Sequence, residues 1–285
     1  MADRFEFVDI HINGRHIKLN YSDSPYKITS FLGTGATEYQ VNITQNAQRH
    51  GGIIKSAAFL PREMQLQFII EPFSKAEKLR QELIHTFTPM EDFTLYVNRG
   101  GVKRRIHGRV TSFDIDNVRL FDPIYAELEM VCDDPFFKDG EDTIIRFLEY
   151  GKLFNAPIII PQWGLTAGMI RTSTTAELNN TGDIDVGILA VIQASGGRVV
   201  NPTISLNDRY FKVLYTMEIG DIITINTIPN FENLHINRIE SYDYELNSEF
   251  FTVPIGENTI MVSADEETVT NTSTTVIYAN NYFGV

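Results

Sequence analysis

Apolar and polar residues alternate with period two through much of the first half of the chain. "EMQLQFII" sets Met64, Leu66, Phe68 and Ile70 against Glu63, Gln65, Gln67 and Ile69. "IYAELEMV" puts Ile124, Ala126, Leu128 and Met130 on one side and Glu127 and Glu129 on the other. "EYQVNITQ" alternates Tyr39, Val41 and Ile43 with polar neighbours. Successive strand side chains point to opposite faces, so these runs predict half-buried antiparallel strands. Asn13-Gly14, inside "FEFVDIHINGRHIKL", predicts a tight hairpin because both residues tolerate positive φ.

One stretch changes period. In "PFSKAEKLRQELIHTFTP", Leu79, Leu83 and Phe87 recur every four residues, flanked by Ala76 and Ile84. Ser74 and Glu77 have the spacing of a capping box, and Pro89 stops the continuation. The pattern predicts one helix laid on a sheet.

After Glu141 the alternation degrades. "NAPIIIPQWG" brackets three isoleucines with prolines, which suits an extended connector. From Ser173 onward only short strand-like runs occur, such as "PTISLN", "DIITINTI" and "NTIMVSA", separated by Asn, Gly and Asp turns. Many short strands without a helix predict a β-sandwich. The fold expected is therefore mainly β: a first domain over 1–138 with one helix, a connector over 139–168, and a sandwich over 169–285. The segment "MVCDDPFFKDGED" marks the exit from the first domain. Pro135 removes a ladder donor and restricts Asp134, and Phe136 and Phe137 dock the departing chain.

Charge sharpens the division. The net charge is −13, with −4 over residues 1–150 and −9 over 151–285. An acidic chain is a poor general nucleic-acid binder. No run approaches ~18 apolar residues, so no transmembrane helix or membrane insertion is expected. The start has no apolar h-region of a secretion signal. The single cysteine excludes an internal disulfide and fits assembly in a reducing cytosol.

Little in the chain suggests catalysis. "GTGATE" lacks the Lys-Ser/Thr of a P-loop, and the six histidines show no H-E-x-x-H or H-x-H spacing. Cys132, Asp133 and Asp134 have no His or second Cys at a ligand spacing, so no metal and no cofactor are expected. An enzyme drawing two carboxylates from distant strands, such as a cell-wall hydrolase, has no positive support. One basic cluster stands out in "NRGGVKRRIHGRV": Arg99, Lys103, Arg104, Arg105 and Arg109, with Gly100-Gly101 as a hairpin tip. Lys103, Arg105 and Arg109 project from one strand face. They form either a solvated edge strand or a basic rim that meets an acidic neighbour in an assembly.

The order of these features resembles the distal tail proteins of long-tailed bacteriophages and phage-tail-like particles. The matching pieces are "INGRHIKL", "QRHGGIIKSAAFLPREMQLQFII", the capped helix, "FTLYVNRGGVKRRIHGRV" and "YAELEMVCDDPFFK". In the second half they are "NNTGDIDVGILAVIQASGGRVVNPTISLN", "MEIGDIITINT", "FFTVPIGENTIMVS" and "YANNYFGV". Each piece is weak alone; order and spacing carry the match. The resemblance implies a split β-barrel with a helix, six copies of which close a ring, and a galectin-like sandwich outside it. It implies the tail tube protein and the tail-tip hub protein as partners, receptor-binding or other baseplate proteins at the periphery, and a place in the virion tail. In such a ring some of Glu63, Asp114, Asp116, Glu127 and Glu129 line a lumen through which DNA passes unbound. The rival expectation is a carbohydrate-binding module with Tyr242, Tyr244 or Tyr278 as a stacking platform; Trp163, in the connector rather than on a sandwich strand, counts against it.

Overall fold

The computed structural model describes residues 7–45, 50–71, 76–89, 91–116, 124–150, 170–172 and 174–285. Ser74 of the expected capping box, Trp163 and the "NAPIIIPQWG" run lie outside these residues. The chain divides into two compact units, Met1–Gly140 with Asn281–Val285, and Glu141–Asn280.

The first unit begins with β1 (Phe7–Ile12), β2 (Arg15–Leu19), β3 (Tyr26–Leu32), β4 (Tyr39–Gln45), β5 (Gly52–Phe59) and β6 (Arg62–Ile70). The helix α1 (Ala76–Thr86) follows, then β7 (Asp92–Arg99), β8 (Val102–Asp116), β9 (Ile124–Cys132) and β10 (Phe137–Asp139). The main sheet runs β2-β1-β7-β8-β9-β6-β3, all antiparallel. The alternation read from the sequence reappears as burial: Met64, Leu66, Phe68, Ile70, Ile124, Ala126, Leu128 and Met130 are all in the core. Each such side chain, taken fully out of water, contributes roughly 1.5–3 kcal/mol. Asn13 and Gly14 adopt positive φ and turn β1 into β2, as the dipeptide requires. Leu83 and Phe87 of the helical stretch join the same core, while Ile84 stays exposed. Arg15 of β2 donates to Thr86 Oγ1 at the end of α1, at 2.9 Å.

Two expectations need correction. The strand pair β4–β5 forms, but it is a separate two-stranded sheet in which every residue is exposed. Alternation reports that a segment has an apolar face, and here none of the described residues covers that face. Secondly, β8 is not an edge strand. It lies between β7 and β9, with β10 continuing along its first half at Arg104 and Arg105.

The second unit holds β11 (Thr143–Arg146), β12 (Leu148–Tyr150), β13 (Ile170–Thr172), β14 (Thr175–Asn180), β15 (Leu189–Ala194), β16 (Val199–Leu206) and β17 (Arg209–Lys212). It continues with β18 (Thr216–Met217), β19 (Ile222–Asn226), β20 (Asn233–Ile236), β21 (Ile239–Glu240), β22 (Gly256–Asp265) and β23 (Thr272–Tyr278). One sheet runs β11-β23-β15-β19-β20-β21 and the other β14-β22-β16-β17. Ile192, Ile223, Ile225 and Val276 from the first share one core with Ile204, Leu206, Phe211, Ile260 and Val262 from the second. This is a two-sheet antiparallel sandwich. The chain then returns to the first unit, where β24 (Asn281–Tyr282) pairs with β10 through Phe137–Tyr282 and Lys138–Asn281. The expected sandwich span of 169–285 did not anticipate this return. Among the described residues no helix is long and apolar enough to cross a membrane.

Candidate functional site

Three features of the first unit stand out. The first is the β4–β5 hairpin. Ile43, Ile53 and Ile54 are each about three-fifths exposed, and Tyr39 and Val41 are exposed beside them. Its base is fixed: Phe59 packs against Tyr39, Phe136 and Phe283, with ring centroids 4.8, 5.0 and 5.5 Å apart. Leu60 N–H also donates to the Glu38 carbonyl at 3.1 Å. An isolated two-stranded hairpin is marginal in water, so this anchored arm with exposed isoleucines is an unusual apolar surface.

The second feature is an acidic wall. Cross-strand pairing sets Gln67, Glu127 and Asp114 in one row of β6, β9 and β8, and Gln65, Glu129 and Ser112 in the next. Glu63 and Val131 lie opposite each other in the third row, with Arg109 beyond. Four of the expected lumen carboxylates therefore share one face: Glu63, Asp114, Glu127 and Glu129. Gln65 donates to Glu127 within this face. A shallow hollow of about 490 Å³ opens between Glu63, Gln65, Thr111 and Glu129. Asp116 ends β8 opposite Tyr125. A register shift between Val110 and Ser112 reverses parity along β8, which brings the even-numbered Asp114 to the face occupied by odd-numbered Arg109.

The basic cluster divides. Lys103, Arg105 and Arg109 do share one face, with Lys103 Nζ 4.8 Å from the Tyr96 ring centroid and Arg109 paired to Asp92 at 2.6 Å. Arg99 and Arg104 turn the other way, onto the end of the chain. Arg99 donates to the main-chain oxygen of Val285 at 2.9 Å, and the Arg104 guanidinium stacks on Tyr282.

The third feature is an arginine that sequence reasoning missed. Arg62 is buried and spends its donors on five oxygens. Nε bonds Pro135 O at 2.7 Å, Nη1 bonds Gly33 O at 2.5 Å and Gly35 O at 2.8 Å, and Nη2 bonds Thr37 Oγ1 at 2.7 Å and Phe283 O at 2.6 Å. Burial lowers its pKa from the ordinary guanidinium value, since all five acceptors are uncharged. Gly33 is required beneath it: φ is +84°, and a Cβ there would sit 2.3 Å from the Glu63 carbonyl. The signal was in the sequence, because Arg62 is in phase with the core positions Met64, Leu66 and Phe68.

Two of the domain-exit residues, Pro135 and Phe137, meet this arginine. Asp134 Oδ1 accepts from Phe136 N–H at 3.3 Å and its other oxygen pairs with Lys138 at 2.8 Å. Phe137 is fully buried, with the Arg62 guanidinium 4.9 Å from its ring centroid, and Asp133 is exposed. Cys132 is also fully buried, 3.9 Å from Met64 Sδ, and burial pushes its thiol up to about 12. In the second unit, Tyr244 packs on Phe211 and Phe250, Tyr278 is buried, and Tyr242 is exposed.

No protein-family model matches the chain, and no curated protein matches its sequence. Solved structures do match its fold. The SPP1 Dit protein, described as a paradigm of the hub adsorption apparatus in phages infecting Gram-positive bacteria, is similar with a TM-score of 0.65. That match covers 96% of this chain and 98% of the other at 11% identity. A chain of the phage P2 baseplate in its activated conformation is similar in a calcium form, at a TM-score of 0.53, and in a strontium form, at 0.52. Each of these covers 98% of this chain and 99% of the other at 10% identity.

Proposed function

We propose, from a fold shared end to end with a phage hub protein and a baseplate chain, that this chain is a distal tail protein of a long-tailed phage or phage-tail-like particle. Its role is structural rather than enzymatic. Six copies close a ring that joins the tail tube to the tail-tip hub, and the sandwich supports peripheral baseplate or receptor-binding proteins.

The observation that carries this reading is the bare β4–β5 hairpin. A heterologous contact repeated about an axis closes a ring and leaves no arm uncovered. Carrying each of Ile43, Ile53 and Ile54 from its present exposure to full burial contributes about 1–2 kcal/mol. The acidic wall supports the second half of the reading. Facing a central hole, it repels phosphate and lets DNA slide past. The domains proposed from the sequence are a ring domain over 1–138, a connector over 139–168 and a sandwich over 169–285; in the structure Glu141–Asn280 form one unit, with β11 already in the sandwich sheet, and Asn281–Val285 join the first unit. Lys103, Arg105 and Arg109 are the part of the basic cluster that remains a candidate subunit contact.

Electron microscopy of the purified full chain, alone and with its tube protein, tests the reading. Rings of six-fold symmetry with a central hole are expected. Particles without rotational symmetry under both conditions would overturn it.

A further inference from the structure

The first hairpin carries two histidines, His11 and His16. They are five residues apart, with no Cys pair or H-E-x-x-H motif beside them. The Asn13-Gly14 turn nevertheless makes them direct partners across β1 and β2, on the same face of the sheet. Their ring centroids are 3.9 Å apart. Asp9, two residues before His11 on β1, shares that face, and its Oδ2 lies 3.2 Å from His11 Nε2. One ligand atom from each of the three lies within 4.8 Å of the others.

The second observation concerns Asp9 alone. Its Oδ1 is buried and has no hydrogen-bond partner among the described residues. A buried carboxylate oxygen left bare is costly, and an ion is one of the few things that relieves it. Lys18 faces Asp9 across the strand pair, but its ammonium lies over the Tyr21 ring, 5.3 Å from the centroid. His11 is braced from the β7 side by Tyr96, at 4.7 Å between ring centroids. His16 is exposed, so the remaining side of the cluster is open to water.

We infer that Asp9, His11 and His16 bind a borderline divalent transition-metal ion through two imidazoles and one carboxylate, with water completing the shell. Imidazole with carboxylate selects Zn2+, Ni2+ or Cu2+ over the hard cations, and three protein ligands with an open fourth position is an established zinc arrangement. The ion staples the edge strand β2 to β1 beside the turn. The ligand atoms need only close from their present spacing to bonds of about 2.0–2.2 Å, a shift that side-chain rotation supplies.

The test uses untagged full-length protein, stripped with chelator and titrated with ZnCl2 by calorimetry. One equivalent is expected to bind, and zinc is expected to raise the unfolding temperature. His16→Gln and Asp9→Asn are expected to weaken binding at least about tenfold, as even partners outside a coordination shell are worth ten- to a hundredfold. His235→Gln, in the second unit, is expected to leave binding unchanged. A separate readout needs no variant: Cu2+ bound to the wild-type chain is expected to show electron-paramagnetic superhyperfine coupling to two imidazole nitrogens. Absence of zinc binding at ~1 mM, a free-ion level well above that of real sites, would overturn the inference. So would full retention of binding in both ligand variants, or a copper spectrum without nitrogen coupling.

Discussion

Arg62 Nη2 donates to the main-chain oxygen of Phe283 at 2.6 Å, across 221 residues of sequence. Through that bond and its companions, one side chain ties together the Gly33–Thr37 loop, the exit at Pro135 and the returning tail. The second unit is thus an insertion that leaves at β10 and comes back at β24, and its two covalent connections meet as paired strands. Aromatic rings and arginines hold the return: Phe283 packs on Phe59, Arg104 on Tyr282, and Arg99 takes the Val285 oxygen.

Replacing Arg62 by methionine keeps the volume and removes every donor. Each buried acceptor left bare costs about 1–3 kcal/mol, and the terms do not add fully. The expected loss is about 3–4 kcal/mol in the unfolding of the first unit. Hydrogen exchange followed by mass spectrometry is expected to show the loss locally, as faster exchange in residues 281–285 and 33–37. Unchanged protection there would mean that the tail is held by its other contacts, the β10–β24 pairing, Arg99 and the aromatic rings.

Cys132 gives a pH-dependent prediction. Burial raises its pKa to about 12, so the folded state keeps the proton that the unfolded state gives up near ~8.5. Its contribution to stability is whole below ~8.5 and is lost as pH rises from there towards the folded value. At pH 8 the native thiol is expected to alkylate with iodoacetamide about a thousandfold more slowly than the urea-unfolded thiol, following its thiolate fraction. Comparable rates would show that the Cys132–Met64 contact opens readily.

The acidic wall predicts how the chain treats DNA. Changing Glu63, Glu127 and Glu129 together to lysine alters the charge of one sheet face by two per site without touching the core. Wild-type protein is expected to leave duplex DNA unshifted in a low-salt gel. The triple variant is expected to retain it, in a manner abolished by added salt. Tight binding by the wild type would remove the lumen assignment.

The sequence made the main-sheet strands of the first unit legible wherever core and solvent lie on opposite sides of one sheet. Met64 to Ile70 and Ile124 to Met130 are of this kind. The same alternation in Tyr39 to Ile43 misled, because period two says which side chains share a face and not what covers it. The lysines and arginines of β8 suggested an edge, yet β9 and β10 pair with that strand. Charge reports exposure of a face rather than of a backbone ladder. Within the candidate site, the carboxylates on β6 and β9 could be grouped by parity. Asp114 joined them only through the β8 register shift. The tail's return could not be read at all, since it depends on pairing Phe137 with Tyr282 across the whole second unit. The His11–His16 pair was readable from the Asn13-Gly14 register, but not from linear spacing.

The ring account stands or falls on the β4–β5 arm, and native mass spectrometry of the full chain measures it most directly. Wild-type protein is expected at the mass of six subunits. An Ile43→Asp/Ile54→Lys variant, which sets opposite charges across the strand pair, is expected at the mass of one, with an unchanged circular-dichroism spectrum because neither residue is buried in the subunit. A variant that keeps the six-subunit mass, or a wild type that is a single chain at every concentration and with its tube protein present, would contradict the account.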